Sequence, residues 1–397
     1  MRVLVVGGGI IGASCAALLA ERGADVEVLD AGKPLFGTST ANAGHIVVSH
    51  CVPMAAPGMV RQGLRSLLAR DGAFAISTHP GPGTARWLIG FARRCTNRNV
   101  VALQPGIEQV LRRSARLVGD DPQLARTRTG LWQVFTSSPD NARSEAAHLR
   151  HHGVRVREVP LDELRREPGF TSNIVAGVEL CDDFGVDPSA LWLRMRRRSE
   201  DAGARWSETD ITDLQDIDSD IIVLAAGAWS PSLARSVGVD LPIRAAKGYS
   251  VTIRGVENAP QRPLLLMDQR TAVTALPGSP SGRLRMSARY EITRADDREI
   301  ALHRIAALID RVRTALHLPT DPGDVEPWTG VRPASIDGAP YIGFLPQRLR
   351  TPVLVATGHG MIGTAMAAGT GDLVTRLVFD DEVSDAERRL GPARLFA

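Results

Sequence analysis

Leu4-Val5-Val6-Gly7-Gly8-Gly9-Ile10-Ile11-Gly12 sets Gly7, Gly9 and Gly12 in a GxGxxG spacing directly behind an apolar run that begins at Val3. Val3 to Val6 reads as a buried parallel strand, and Ile11 to Arg22 as a helix stopped by Gly23. In this context each glycine has a task. Gly7 allows the tight turn, Gly9 lets the backbone approach a pyrophosphate, and Gly12 lets the helix pack on the strand with its first N–H groups facing the anion. A second strand, Val26 to Leu29, ends in Asp30, where an acid about 20 residues beyond the glycines is expected to hold an adenosine ribose. Gly7, Gly9, Ile10, Ile11, Gly12, Asp30 and Ala31 are therefore the expected dinucleotide cradle.

Working outward, 397 residues are enough for two lobes, since single cores stop growing near about 250–300 residues. The formal charge of +3 gives no sign of a nucleic-acid binder. Cys15, Cys51, Cys95 and Cys181 are scattered without CxxC spacing, which argues for a reducing compartment and against a zinc site; no metal is expected. The first strand starts at once, which leaves no signal-peptide pattern, and no apolar run approaches the ~18 residues of a spanning helix, so the expected location is cytoplasmic.

From Gly37 to about Pro105 the chain is rich in Pro and Gly and carries two short helical patterns, Met59 to Leu68 and Trp87 to Arg94. Arg61, Arg65 and Arg70 flank the first pattern; Arg86, Arg93 and Arg94 flank the second. Basic amphipathic helices suit either packing on the protein body or peripheral contact with the inner face of a membrane. Helical patterns follow over Ile107 to Val118, Ala142 to His152 and Leu191 to Ala202, with a strand at Gly130 to Phe135. A second nucleotide signal is Asp220-Ile-Ile-Val-Leu-Ala-Ala-Gly-Ala-Trp-Ser230, a buried strand running into Gly227. It ends where Rossmann-type ligands bind, and together with the first fingerprint it favours FAD over NAD.

Further segments resemble the FAD-dependent amino acid oxidoreductases of the D-amino acid oxidase superfamily, with bacterial D-amino acid dehydrogenases as the nearest branch. They are Ser39-Thr-Ala-Asn-Ala-Gly44, Met54-Ala-Ala-Pro-Gly58, Lys247-Gly-Tyr-Ser-Val-Thr-Ile253, Trp328-Thr-Gly-Val-Arg-Pro333 with Asp337-Gly-Ala-Pro-Tyr-Ile-Gly343, and Thr357-Gly-His-Gly-Met-Ile-Gly363. The resemblance spans nearly the whole chain. It implies an α/β, two-domain flavoprotein: a Rossmann-type FAD-binding domain assembled from residues 1–50, 141–232 and 328–397, and a substrate domain with a mixed or antiparallel sheet from 51–140 and 233–327. Three departures stand out. The stretch between Trp206 and Asp220 is too short for the usual hairpin, Ser287-Ala288 replaces a frequent Gly pair, and His45 stands where Gln is common.

The resemblance also implies non-covalent FAD held further by Ser39, Ala41, Asn42, Ala43, Gly44, Gly227, Gly330, His359, Gly360, Met361, Ile362, Gly363 and Thr364. The implied reaction is oxidative deamination of a D-amino acid, with hydride passing from Cα to flavin and an imine hydrolysing to a 2-oxo acid. Quinone or oxygen would accept the electrons. Glycine, sarcosine, hydroxyproline and a biosynthetic amine remain alternative substrates, and a flavin subunit needing a partner subunit is an alternative organisation. Arg332 is expected to clamp the substrate carboxylate, with Tyr249, His45 and Met361 lining the pocket. Tyr249 also suits a purely packing role, as do Tyr290 and Tyr341. His359 suits a backbone role better than proton transfer.

Overall fold

The computed structural model describes residues 1–32, 38–68, 72–215, 217–278, 282–319, 324–346 and 350–396. Arg70, named above as flanking a helix, and Gly37 lie outside them.

The N-terminal strand β1 (Arg2–Val6) is apolar at every position from Val3 because both of its faces are covered. Val3 and Val5 join one core cluster, Leu4 and Val6 another. β1 lies inside a six-stranded sheet with β2 (Asp25–Asp30), β9 (Arg205–Glu208), β10 (Ile221–Leu224), β16 (Tyr341–Phe344) and β17 (Val353–Thr357), in the order β16-β17-β10-β1-β2-β9. All pairings are parallel except β16 with β17. The helix α1 (Ile10–Glu21) starts one residue earlier than its pattern predicts and packs between α7 (Pro188–Asp201) and α10 (Gly363–Val378). On the opposite face Leu214 is buried beside Leu224 and Leu233, while Ile211 and Ile217 pack on the same cluster. The Leu214 N–H donates to Ser236 Oγ at 3.0 Å. The shortened stretch before Asp220 thus closes the back of the sheet as an apolar plug without forming a strand.

The second sheet has nine strands: β4 (Phe74–Ile76), β5 (Leu131–Phe135), β6 (Val156–Val159), β7 (Ala176–Leu180), β11 (Ile243–Ile253), β12 (Leu264–Leu266), β13 (Thr271–Ala275), β14 (Leu284–Thr293) and β15 (Val325–Ser335). The spine runs β15-β11-β14-β13-β12-β5-β7-β6, mostly antiparallel, and β4 adds to β14. β3 (His45–Ile46) and β8 (Phe184–Gly185) pair separately. One face of β11 and β14 is roofed by α9 (Leu302–Arg313), through Ile305, Leu308 and Val312.

Sheet membership redraws the expected domain division. β6 and β7, between residues 141 and 232, pair into the second sheet, as does β15, which runs from Val325 to Ser335. α4 (Asn97–Gly119) comes from the expected substrate segment but packs on α10. Local composition does not encode which strand a segment will pair with. α4 is also longer than the Ile107 to Val118 pattern, because Pro105 is accommodated inside it and Thr96 caps its start by accepting the Asn99 N–H. Pro105 costs only the bond to the Val101 carbonyl, on an exposed side of the helix.

The remaining helices are α2 (Met59–Leu68), α3 (Thr84–Arg94), α5 (Pro139–His151), α6 (Leu161–Arg166), α8 (Ser230–Ser236) and α11 (Asp385–Arg388). All four cysteines are free, and burial raises each thiol above its ordinary value, Cys15 to about 12. Among the described residues no helix is long and apolar enough to cross a membrane, and none of the His, Cys, Asp and Glu side chains cluster as metal ligands.

Candidate active site

The site begins in the gap between the end of β1 and the start of α1. Gly7 has φ +107°, and a Cβ there would lie 2.7 Å from the Ala225 carbonyl oxygen. A Cβ on Gly12 would lie 1.8 Å from the Gly7 carbonyl oxygen. Any side chain is therefore excluded at both positions, and β1, α1 and the end of β10 meet at one point. Gly227 turns away there at φ +56° with open space where a Cβ would stand.

At the start of α1, Ser39 Oγ accepts the Ile10 N–H at 2.9 Å. Asp30, at the end of β2, accepts the Gly8 N–H at 2.7 Å and the Gly32 N–H at 3.1 Å, so its carboxylate and the following Ala31 border the glycine loop. Two indoles missed in the sequence reading complete this end. Trp192 Nε1 donates to the Gly8 carbonyl at 2.8 Å, and a Cβ on Gly8 would be 2.7 Å from the Trp206 ring. The Arg196 guanidinium lies over both rings, 5.7 Å from Trp192 and 4.9 Å from Trp206. No local motif announces this group, since it forms only when α7 and β9 meet.

Asn42 shapes the next loop through its own backbone bonds. Its Oδ1 accepts the Gly44 N–H at 2.8 Å and its Nδ2 donates to the Thr38 and Ser39 carbonyls. Gly44 has φ +69°, and the Val186 carbonyl oxygen stands 2.0 Å from where its Cβ would be. The second sheet holds the same loop, with Thr274 Oγ1 donating to the Ala43 carbonyl at 2.7 Å and Arg285 Nη1 to the Thr40 carbonyl at 2.9 Å, on either side of Ala41. Arg285 was another omission of the sequence reading, hidden among many arginines.

Strand register then settles which side chains look onto that loop. Ala246, Gly248, Ser250 and Thr252 of β11 stand opposite Arg332, Gly330, Trp328 and Glu326 of β15, and Ser250 and Thr252 stand opposite Ser287 and Arg285 of β14. Partners share a face, so Arg332 is on the side from which Arg285 reaches the loop. Its Nη1 donates to the Arg289 carbonyl at 3.0 Å, and a Cβ on Gly248 would be 2.1 Å from the same nitrogen. Burial depresses the Arg332 guanidinium, and no carboxylate pairs with it. The ring of Trp328 covers Gly330, 2.1 Å from where a Cβ would be.

Tyr249 is a correction. It stands opposite Thr329 on the other face, buried beneath α9 with Val251 and Leu308, away from Arg332. Tyr290, read as structural, is the tyrosine beside Arg332, whose charge partly offsets the rise that burial imposes on its hydroxyl. The exchange comes from the irregularity between Lys247 and Tyr249, which shifts the pairing with β14 so that Tyr290 shares the cluster of Ala246. Ser287 and Ala288 divide likewise: Ser287 Oγ donates to Ser250 Oγ at 3.2 Å on the front, whereas Ala288 lies behind.

His45 sits at the seam, its Nε2 3.3 Å from the Val273 carbonyl, and burial lowers its imidazole to about 4. The Gly360 N–H donates to the Pro333 carbonyl at 2.9 Å, which ties the turn before α10 to the strand of Arg332. Ile362 is the N-cap of α10, and the first-turn amides, from Gly363 and Thr364, have no acceptor within the helix, so its positive end is open. Met361 is 60% exposed beside it. The His359 imidazole turns inward, Nε2 at 3.0 Å from Thr370 Oγ1, and burial lowers it to about 3. Only its backbone faces the site.

Residues 2–377 match the family model described as FAD dependent oxidoreductase. The chain belongs to that family. A D-amino acid dehydrogenase of Rhodopseudomonas palustris is 31% identical, the match covering 93% of this chain and 92% of the relative. A second D-amino acid dehydrogenase, from Bradyrhizobium diazoefficiens, is 28% identical over 95% of each chain. Among solved structures, an iminodiacetate oxidase from a Chelativorans species superposes with a TM-score of 0.70 at 20% identity, covering 98% of this chain and 99% of the other, which is a likeness of fold.

As an FAD dependent oxidoreductase the chain needs room for a pyrophosphate, a ribose and a flavin, and the residues fit. Gly7 and Gly12 leave backbone where a Cβ would intrude, Asp30 borders the loop, and the N-termini of α1 and α10 both open towards the β10 end.

Gly12→Ala is expected to yield colourless protein without FAD, which the visible absorbance of the purified variant checks. A second expectation concerns acid. Burial keeps His359, His45 and His50 neutral in the folded chain, so below about pH 6.5 the unfolded chain binds protons that the folded one does not, and each imidazole removes up to about 1.4 kcal/mol of stability per pH unit. Asp183 opposes one of them. Burial raises its carboxyl to about 7, and the folded state gains by taking up that proton as pH falls. The melting temperature should therefore fall from pH 6.5 to 4.5, with a shallower slope in His359→Asn; an unchanged slope would contradict the buried neutral imidazole.

Proposed function

We propose that this chain oxidises the Cα–N bond of a D-amino acid, or of a closely related cyclic or secondary amino acid, and delivers the electrons to a quinone. The observation that carries the reading is Arg332. A guanidinium withdrawn from water without a carboxylate partner, on a glycine-lined face that looks onto the cofactor loop, is a receptor for a ligand carboxylate. The D configuration and the dehydrogenase class are supported by the relative of that name at 31% identity.

FAD, held without a covalent bond by the glycine loop, Asp30, the Ser39–Gly44 loop and the open end of α10, supplies the electron sink for hydride from Cα. The chain does the rest. The planar fork of Arg332 fixes the carboxylate and so the direction of Cα–H. Trp328 and Met361 offer apolar surface to the substrate side chain. The first turn of α10 presents its positive end where negative charge accumulates during reduction. His45 is neutral near pH 7, and His359 is engaged with Thr370, so neither imidazole serves as a strong base and the amine sheds its proton to water. Loss of the Cα hydride and the second N–H proton leaves an imine, which water converts to a 2-oxo acid and ammonia.

The quinone assignment rests on α2. Val60, Leu64, Leu67 and Leu68 are all exposed, Leu68 by 90%, and α3 adds Ile89. Arg61, Arg65, Arg86 and Arg93 are exposed around them, and neither helix carries an acidic residue. An apolar helix face framed by arginines suits an anionic membrane surface, where lipid-soluble quinones reside.

D-amino acids should bleach the visible flavin absorbance anaerobically and L-amino acids should not. Arg332→Ala should lower kcat/KM by about one to two decades, the equivalent of a lost charge-assisted pair of ~1.5–3 kcal/mol. Retained efficiency would remove Arg332 from the site. The protein should also sediment with anionic vesicles at low salt and lose that binding in the Leu64→Glu, Leu68→Glu double variant; failure of the unaltered protein to bind would dismiss the membrane contact.

A further inference from the structure

Behind the substrate sheet, on the face turned away from the cofactor loop, a recess opens between β11, β14 and α9. It is lined by Tyr249, Ala288, Arg289, Arg304, Leu308 and Arg311. Tyr249 is only 4% exposed, yet its hydroxyl makes no hydrogen bond within the protein. A buried phenol normally finds a partner, and leaving one without an acceptor is costly. Two cations flank its ring, Lys247 Nζ at 5.6 Å and the Arg304 guanidinium at 5.6 Å.

The charges around the recess do not cancel. Lys247 pairs with Asp297, whereas Arg289 and Arg304 share the single carboxylate of Glu291, and Arg311 adds a further cation on the same wall. Lys247, Arg289, Arg304 and Arg311 thus face Asp297 and Glu291, an excess of positive charge around an unsatisfied hydroxyl. Apolar contact comes from Ala288 and Leu308 alone, which suits a compact ligand and offers little to a long side chain.

We propose that this recess is a second ligand site, binding a compact oxyanion between Arg304 and Arg311 with the Tyr249 hydroxyl as a further donor. The shared chemistry is that of a small carboxylate or of inorganic phosphate, both of which accept from guanidinium forks. The site does not overlap with the face of Arg332, although one residue touches both: the Arg289 side chain lines the recess, while its carbonyl, presented by a left-handed backbone at φ +74°, accepts from Arg332.

Tyrosine count makes the test direct. The chain has only Tyr249, Tyr290 and Tyr341, so 3-fluorotyrosine labelling of the holoprotein gives three fluorine resonances, assigned with Tyr249→Phe and Tyr290→Phe. Acetate, pyruvate and phosphate are then titrated separately at constant ionic strength. The Tyr249 resonance is expected to shift saturably with at least one of them, and Arg311→Gln or Arg304→Gln to raise the dissociation constant about tenfold or more. Which anion saturates the shift separates the carboxylate from the phosphate source. Binding at Arg332 reports on Tyr290 instead, so a response there alone, or a Tyr249 shift unchanged in both folded, flavin-loaded variants, would overturn the second site without touching the first.

Discussion

A distance too small for one carbon atom underlies the rest of the molecule. The Gly7 carbonyl presses against Gly12 so closely that a Cβ would stand 1.8 Å from the oxygen, and Gly7 itself abuts the Ala225 carbonyl. Because α1 can sit that low on β1, it can also pack between α7 and α10, and the end of β10 can close on the same point. An alanine at either glycine would lift the helix and open the cradle. Stability and ligand binding are thus consequences of one packing constraint.

The two sheets are joined through the loop from Thr38 to Ile46, and it is held from both sides. Ser39 reaches Ile10 and Asn42 ties the loop to itself, while Thr274 and Arg285 hold it from the second sheet. Asp183 adds a third anchor, accepting the Val48 and Ser49 N–H groups and the Ser49 hydroxyl. The buried Arg285 spends its donors on carbonyls and on Thr252, whereas Arg332 keeps part of its fork uncommitted. Two arginines on one face therefore differ in role because only one of them is saturated by the protein.

Much of this was legible in residue order. The glycine fingerprint with Asp30, the β10 strand, α2 as Met59 to Leu68, and α10 opening at Gly363 all follow from local spacing, and so does the choice of Arg332 within Trp328–Pro333. What escaped depends on registers and contacts between distant segments. Tyr249 and Tyr290 exchanged roles because an irregularity beside Gly248 and Arg289 changes which side of the sheet a tyrosine occupies, and periodicity of two has no means to anticipate it. Trp192 and Trp206 meet over Gly8 only after α7 crosses β9. The division of the chain between the sheets failed for the same reason, since β6, β7 and β15 select partners far away in sequence.

The four thiols bear on how such a protein survives its own chemistry. Flavoproteins work beside oxidants, and a cysteine is attacked chiefly as its thiolate. Burial raises every thiol of this chain, Cys15 furthest, so each meets the solvent's pH as the neutral, sluggish form. The sulfur most accessible to peroxide is then the thioether of Met361 at the mouth of the site, whose conversion to a sulfoxide would turn an apolar rim polar while leaving the core untouched. Oxidative wear in this fold is directed to the substrate entrance.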